Sequence, residues 1–125
     1  MPQMYELEFY EDDNGYSEVK AWIDELESRS RRGEKDSRIQ LKQLYYVMER
    51  FQQDGMYAGE SFVKRITKDI YELRPGDNRV MLFGWQGKRF VLLSCFRKKS
   101  RKTPPTEIEK AERLMKDWIQ RKGKG

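Results

Sequence analysis

The chain contains no histidine among its 125 residues. The side chain that ordinarily changes charge near neutral pH is therefore missing, and with it a common general base and metal ligand. A single cysteine, Cys95, excludes an internal disulfide and a cysteine-built zinc site within one chain. It lies in an apolar run, where a buried, inert thiol is expected. No apolar stretch is long enough to cross a bilayer, and none near residue 1 resembles a signal peptide. The expectation is a cytoplasmic protein without a membrane partner. Aromatic residues are not scarce: they make up 13% of the chain, more than disordered sequences carry. The length suits one domain over residues 1–125.

Acid is scarce in one part and base in another. Residues 1–27 hold nine acids, from Glu6 to Glu27, and only Lys20 as a base. Residues 86–102 carry seven cations and no acid, five of them in the run Arg97-Lys98-Lys99-Ser100-Arg101-Lys102. Like charges that close repel one another, and such a run is tolerated where a polyanion sits against it. The net charge of +5 conceals this division. One face of the molecule is expected to meet a polyanion and another is not.

Tyr5, Leu7 and Phe9 alternate with polar neighbours, the period of a strand with one wet face. Asp12-Asp13-Asn14-Gly15 is a turn, and Ser17 can cap a helix that buries Val19, Trp22, Ile23 and Leu26. Residues 28–35 read as a loop. A second helix over 36–54 would bury Leu41, Leu44, Tyr45, Met48 and Phe51, and Gly55 suits its exit. Residues 61–69 carry no assignable pattern. Strands follow over 70–74, 79–85 and 89–97, joined by Pro75-Gly76-Asp77-Asn78 and Gln86-Gly87-Lys88. Connections this short demand antiparallel hairpins. Thr106-Glu107-Ile108-Glu109 fits a capping box for a last helix carrying Ile108, Ala111, Met115 and Trp118. The order β-α-α-β-β-β-α predicts an α+β domain, a mostly antiparallel sheet with helices packed on one face. The first strand must pair within that sheet, beside a strand distant in sequence.

Several words of the second half carry a family likeness: Ile70-Tyr71-Glu72-Leu73-Arg74, Asn78-Arg79-Val80, Phe90-Val91-Leu92-Leu93, Phe96-Arg97-Lys98-Lys99 and Lys102-Thr103-Pro104, then the helix with Glu107, Ile108, Ala111 and Asp117. In this order they resemble the RelE/HigB-type toxins of bacterial toxin–antitoxin pairs, in particular the phage-derived, HigB-like branch. The resemblance implies a RelE/ParE-like fold and a ribosome-dependent endoribonuclease that cuts messenger RNA. It also implies a cognate antitoxin, often a helix-turn-helix protein, as partner.

Cleaving RNA without metal or other cofactor requires a base for the 2′-hydroxyl, in-line geometry, charge stabilisation at the phosphate, and an acid for the 5′-oxygen. Arginine suits the third task, because its planar fork grips phosphate oxygens in pairs and stays charged. Alternation puts Glu72 and Arg74 on one face of a strand, and the hairpin brings Arg79 near them. The cation run leaves the third strand at the same end of the sheet. Arg79, Lys98, Lys99, Glu72 and Arg74 are the candidate catalytic residues. Lys64, Lys68, Arg97, Arg101, Lys102 and Phe96 are the candidate RNA-binding residues. Proton transfer would fall to Glu72, to a lysine crowded by other cations, or to a ribosomal group, since no tyrosine follows Tyr71. Two rival readings keep the same scaffold or patch: a ParE-like toxin that inhibits DNA gyrase, and a non-catalytic nucleic-acid-binding phage remnant.

Overall fold

The computed structural model describes residues 4–123; residues 1–3 and 124–125 of the expected 1–125 domain lie outside the described residues. A five-stranded sheet forms the centre, in the order β1-β5-β4-β3-β2. The strands are β1 (Glu6–Phe9), β2 (Val63–Arg65), β3 (Ile70–Leu73), β4 (Asn78–Trp85) and β5 (Arg89–Arg97). Helices α1 (Glu18–Arg31) and α2 (Lys35–Asp54) follow β1, and α3 (Pro105–Lys122) follows β5. Strands β2 to β5 are antiparallel neighbours, while β1 lies parallel to β5, with Glu6 opposite Arg89 and Phe9 opposite Leu92. The α+β class, the mostly antiparallel sheet and the distant pairing of the first strand are as expected.

The helices, however, are not on one face. Val80 and Leu82 of β4 point with Leu73 and Leu92 into a core roofed by α1 and α2. Met81, Phe83 and Trp85 point the other way, with Ile70, Val91 and Leu93, into a second core closed by Ala111, Met115 and Trp118 of α3. The sequence already holds the reason. Of the eight residues of β4 only Gly84 is exposed, and a strand without a wet face has both faces covered. A β-bulge sets two residues of β5, Leu93 and Ser94, against one step of β4, between the Met81–Ser94 and Leu82–Leu92 pairs.

Four smaller expectations need correction. Helix α1 runs through Arg31, leaving a shorter connection than 28–35. Tyr45 is exposed, and Val47 takes its place in the buried stripe of α2. The stretch 61–69 contains β2, an edge strand whose Lys64 and Arg65 are exposed and whose one buried side chain is Val63, so no alternation announces it. Thr106 does not cap α3; the helix starts at Pro105, with Pro104 in extended conformation before it and no side-chain cap. Proline at the first helical position needs no N–H bond and has its φ already set. Ser17 caps α1 as expected, its Oγ accepting from the Lys20 N–H at 3.1 Å.

The β3–β4 turn sets where the start of β4 lies. Gly76 sits at φ +58°, and a Cβ there would lie 2.3 Å from the Gln43 side-chain oxygen on α2. Glycine alone lets the turn tuck beneath α2.

Candidate functional site

Strands β3 and β5 end, and β4 begins, at one end of the sheet. On the α3 face of that end Glu72, Arg74 and Arg79 meet. Glu72 is 3% exposed, and its Oε1 lies 3.7 Å from the Nε of both Arg74 and Arg79. Its Oε2 accepts a hydrogen bond from Thr103 Oγ1 at 2.7 Å. Arg79 is 6% exposed. Its Nη1 donates to the carbonyls of Gly76 and Asn78, both at 2.8 Å, which fixes the guanidinium plane against the turn. Arg74 is anchored by Nη1 to the Glu60 carbonyl at 3.0 Å, while its Nε is buried without a hydrogen bond.

The cation run folds over this group. The Lys98 N–H donates to the Asp77 carbonyl at 2.8 Å, which stitches the segment after β5 to the β3–β4 turn. Residues 98–104 then wall a narrow cleft whose floor is Glu72, Arg79 and Phe96, with about 10 Å³ of open volume. Lys98, Lys99, Arg101 and Lys102 are all exposed around its mouth. Lys64 stands directly across the β2–β3 ladder from Glu72, so it borders the same face. The sequence candidates Glu72, Arg74, Arg79, Phe96, Lys98, Lys99, Arg101, Lys102 and Lys64 thus gather at one corner.

Two candidates stand elsewhere. Lys68 lines a separate cleft of about 250 Å³ at the other end of β3, beside Asp69, Phe83 and Trp85. Arg97 pairs with Asn78 across the β4–β5 ladder, whereas Phe96 pairs with Arg79. Successive strand residues face opposite ways, so Arg97 turns toward α1 and α2, where it contacts Asn78 and Asp77.

The electrostatics of the corner are one-sided. Burial lowers the Arg79 pKa first, and the neighbouring Arg74 lowers it further, against the opposing pull of Glu72 and Asp77. One carboxylate therefore faces two guanidiniums and a rim of ammonium and guanidinium groups. Such an arrangement can neutralise a phosphate and hold it in a fixed orientation. Among the described residues, no cluster of three or more Asp, Glu, Cys or His side chains is arranged to hold a metal ion. Cys95, half-buried, has its thiol pushed up to about 12 by burial and then by Glu18, so it is not a nucleophile at neutral pH.

Sequence reasoning passed over Thr103 and Asn78. Both stood in the family-like words, and the signal for Thr103 was a hydroxyl placed between a cation run and two prolines. Its partner Glu72 lies 31 positions away in sequence, and only the folded loop brings them together.

Comparison with known proteins agrees with the motifs. Over 79 residues the chain is 39% identical to the protein named "Probable endoribonuclease HigB1" from Mycobacterium tuberculosis, in strains CDC 1551 / Oshkosh and ATCC 25618 / H37Rv alike. The match spans 60% of this chain and 61% of each relative's length. The resemblance to HigB-type proteins is therefore shown by sequence beyond the motifs themselves. Residues 21–116, which run from within α1 through most of α3, match the family described as "Phage derived protein Gp49-like (DUF891)", and the chain belongs to that family.

Proposed function

We propose that this chain is the toxin of a toxin–antitoxin pair, acting as one domain, and that it cuts messenger RNA on the ribosome. The observation that carries the reading is the surplus of positive charge at one corner, built from three strands and a loop, around Glu72, the one buried carboxylate among the described residues. The HigB1 likeness supports the same activity.

In this reading Lys98 and Lys99 take the scissile phosphate at the rim, and Arg79 grips it from the floor once residues 98–104 part, because the cleft as it stands, about 10 Å³, holds no more than a water. As the 2′-oxygen attacks phosphorus and the bond to the 5′-oxygen breaks, negative charge grows on the other phosphate oxygens, where these cations stabilise it. Arg74, Arg101, Lys102 and Lys64 hold the flanking backbone. Glu72 accepts from Thr103 and is covered by two arginines, so its role is to position Arg79 and Arg74 rather than to take the 2′-proton. The proton acceptor and donor then come from a rim lysine or from the ribosome. The partner in the cell, which is the cytoplasm in this reading, is a cognate antitoxin, of the helix-turn-helix kind.

The test is primer extension on messages in a translating extract, with free RNA as the control. Expected are discrete cuts in translated messages, little cutting of free RNA, and loss of cuts with Arg79→Ala or with Lys98→Ala and Lys99→Ala combined. Intact messages with blocked DNA supercoiling would overturn the reading in favour of gyrase inhibition. Salt-sensitive binding without product would leave a non-catalytic binding module.

A further inference from the structure

The end of β5 separates two clefts. Phe96 lines the phosphate cleft and also a larger one, about 450 Å³, on the opposite face beneath α1. Trp22, Leu26 and Cys95 give that second cleft apolar walls, and Gln40, Asn78 and Arg97 bring polar groups to it. An apolar slot with a few convergent donors and acceptors is the usual make-up of a small-ligand site, and this volume lies within the usual range of roughly 300–1,000 Å³.

The polar groups are held in place. Asn78 is 5% exposed; its Nδ2 donates to Gln40 Oε1 at 2.9 Å, and Gln40 in turn donates to Asp36 at 2.7 Å. Arg97 Nη1 approaches Asn78 Oδ1 at 3.5 Å. The backbone carbonyl of the same Asn78 accepts from Arg79. One residue therefore braces the phosphate-gripping arginine with its main chain and borders the second cleft with its side chain. Glu25, the carboxylate lining this cleft, is paired with Arg29 at 2.8 Å, so it does not repel an anionic ligand. By contrast the cleft walled by Glu8, Glu11, Asp12 and Asp13 sets four acids against Arg121 and Lys122 and is less suited to an anion.

Resting on the ribonuclease reading, we infer that the cleft between Trp22, Asn78 and Arg97 binds a nucleobase of the RNA next to the scissile phosphate and so sets which base flanks the cut. Trp22 offers the stacking surface, Gln40 and Asn78 offer amide groups to the base edge, and Arg97 meets the adjoining phosphate or the base face. The strand then crosses the end of the sheet, its phosphate on one side and its base on the other.

The experiment has two arms. In the first, 15N-labelled protein is titrated with 2′-O-methyl RNA trinucleotides of each base, which lack the nucleophile and are not cut. The indole resonance of Trp22, assigned with Trp22→Phe, is expected to move for the preferred base. Those of Trp85, bonded to the Gly123 carbonyl, and of Trp118, buried beneath it, stay still. In the second arm, cut sites are mapped in the translating extract for wild type, Trp22→Leu and the exposed Arg97→Ala. Base preference beside the cut is expected to flatten by roughly fivefold or more, the low end for removing one aromatic that stacks on a base. If Trp22→Leu does not fold, Arg97→Ala carries this arm. Wild-type cutting with an unmoved Trp22 indole and unchanged preference in the variants overturns the base site and leaves the nuclease standing. No cutting by wild type overturns the nuclease, and the indole titration then decides the base site alone. A Trp22 indole that responds to a peptide and not to RNA overturns it as well.

Discussion

Two clusters of charged side chains tie this molecule together, and they are built on opposite principles. At the far end of α3, Asp117 accepts from Tyr10 at 2.6 Å and from Arg121 at 2.8 and 3.0 Å, and Arg121 also reaches Asp13 at 3.3 Å and the Glu11 carbonyl. Arg121 there is answered by two carboxylates and a carbonyl, and acid outnumbers base. At the β3–β5 corner, Glu72 touches its two arginines at 3.7 Å, beyond hydrogen-bond length, while Arg74 Nε is unanswered and a rim of cations stands without acids. A cluster that serves the fold closes its own bonds. A cluster whose exposed rim of cations is paired with no acid among the described residues is set for something brought to it.

Arg79→Ala against Arg121→Ala tests that contrast most sharply. The first should lower message cleavage by about 10²–10³-fold, the usual cost of one lost charge-stabilising donor, with far-ultraviolet circular dichroism unchanged. The second should leave the cut pattern intact and reduce stability modestly, about 1 kcal/mol in urea titration, mainly because its stem no longer packs. Equal effects of the two on cleavage would erase the distinction. Next in size, Glu72→Gln leaves two guanidiniums without their carboxylate and should cost about 2–3 kcal/mol by the same titration. It should also impair cutting through a displaced Arg79, although Gln keeps an oxygen for Thr103.

Acid should separate the clusters again. Arg121 first and Tyr10 second hold the Asp117 carboxyl below the usual aspartate range. A group whose folded pKa is depressed stabilises the fold above its unfolded pKa, about 3.9, and loses that contribution as pH falls through the folded value. Melting temperature between pH 5 and the depressed value should therefore fall more steeply for wild type than for Asp117→Asn. Coincident profiles would deny the cluster its role in the fold. The smallest effects belong to single lysines. Lys64→Ala, beside Glu72, should weaken ribosome-dependent cutting a few-fold and reduce its salt sensitivity, since each phosphate neutralised by the protein accounts for about 0.7–0.9 of the log–log slope. Lys68→Ala, at the other end of β3, should change cutting less than about twofold. The reverse ranking would move the RNA path to the other end of the sheet.

Much of this arrangement was written in local pattern. Apolar runs bounded by Pro75-Gly76 and Gln86-Gly87 marked the hairpins, and the 3.6-residue spacing of Ala111, Met115 and Trp118 marked α3. Quantities that depend on partners were not. The apolar run of β4 signals two covered faces, but only with its neighbours known does it say which helix covers which. Strand β2 has too few apolar residues to announce itself. Arg97 read as one of a run with Lys98 and Lys99, yet the register that sets Phe96 against Arg79 turns it to the other face. At the site, residue types were readable, whereas the Thr103–Glu72 bond and the bracing of Arg79 by Asn78 depend on a folded loop and turn.

The parallel pairing of β1 with β5 bears on how the protein comes to be made. The strand synthesised first has no partner until residues 89–92 exist, and the corner is unfinished until the loop to Pro104 is added. Contacts so far apart in sequence form late. On a nascent chain that stops short of Pro104, the corner on which the proposed cleavage depends is therefore still missing a wall.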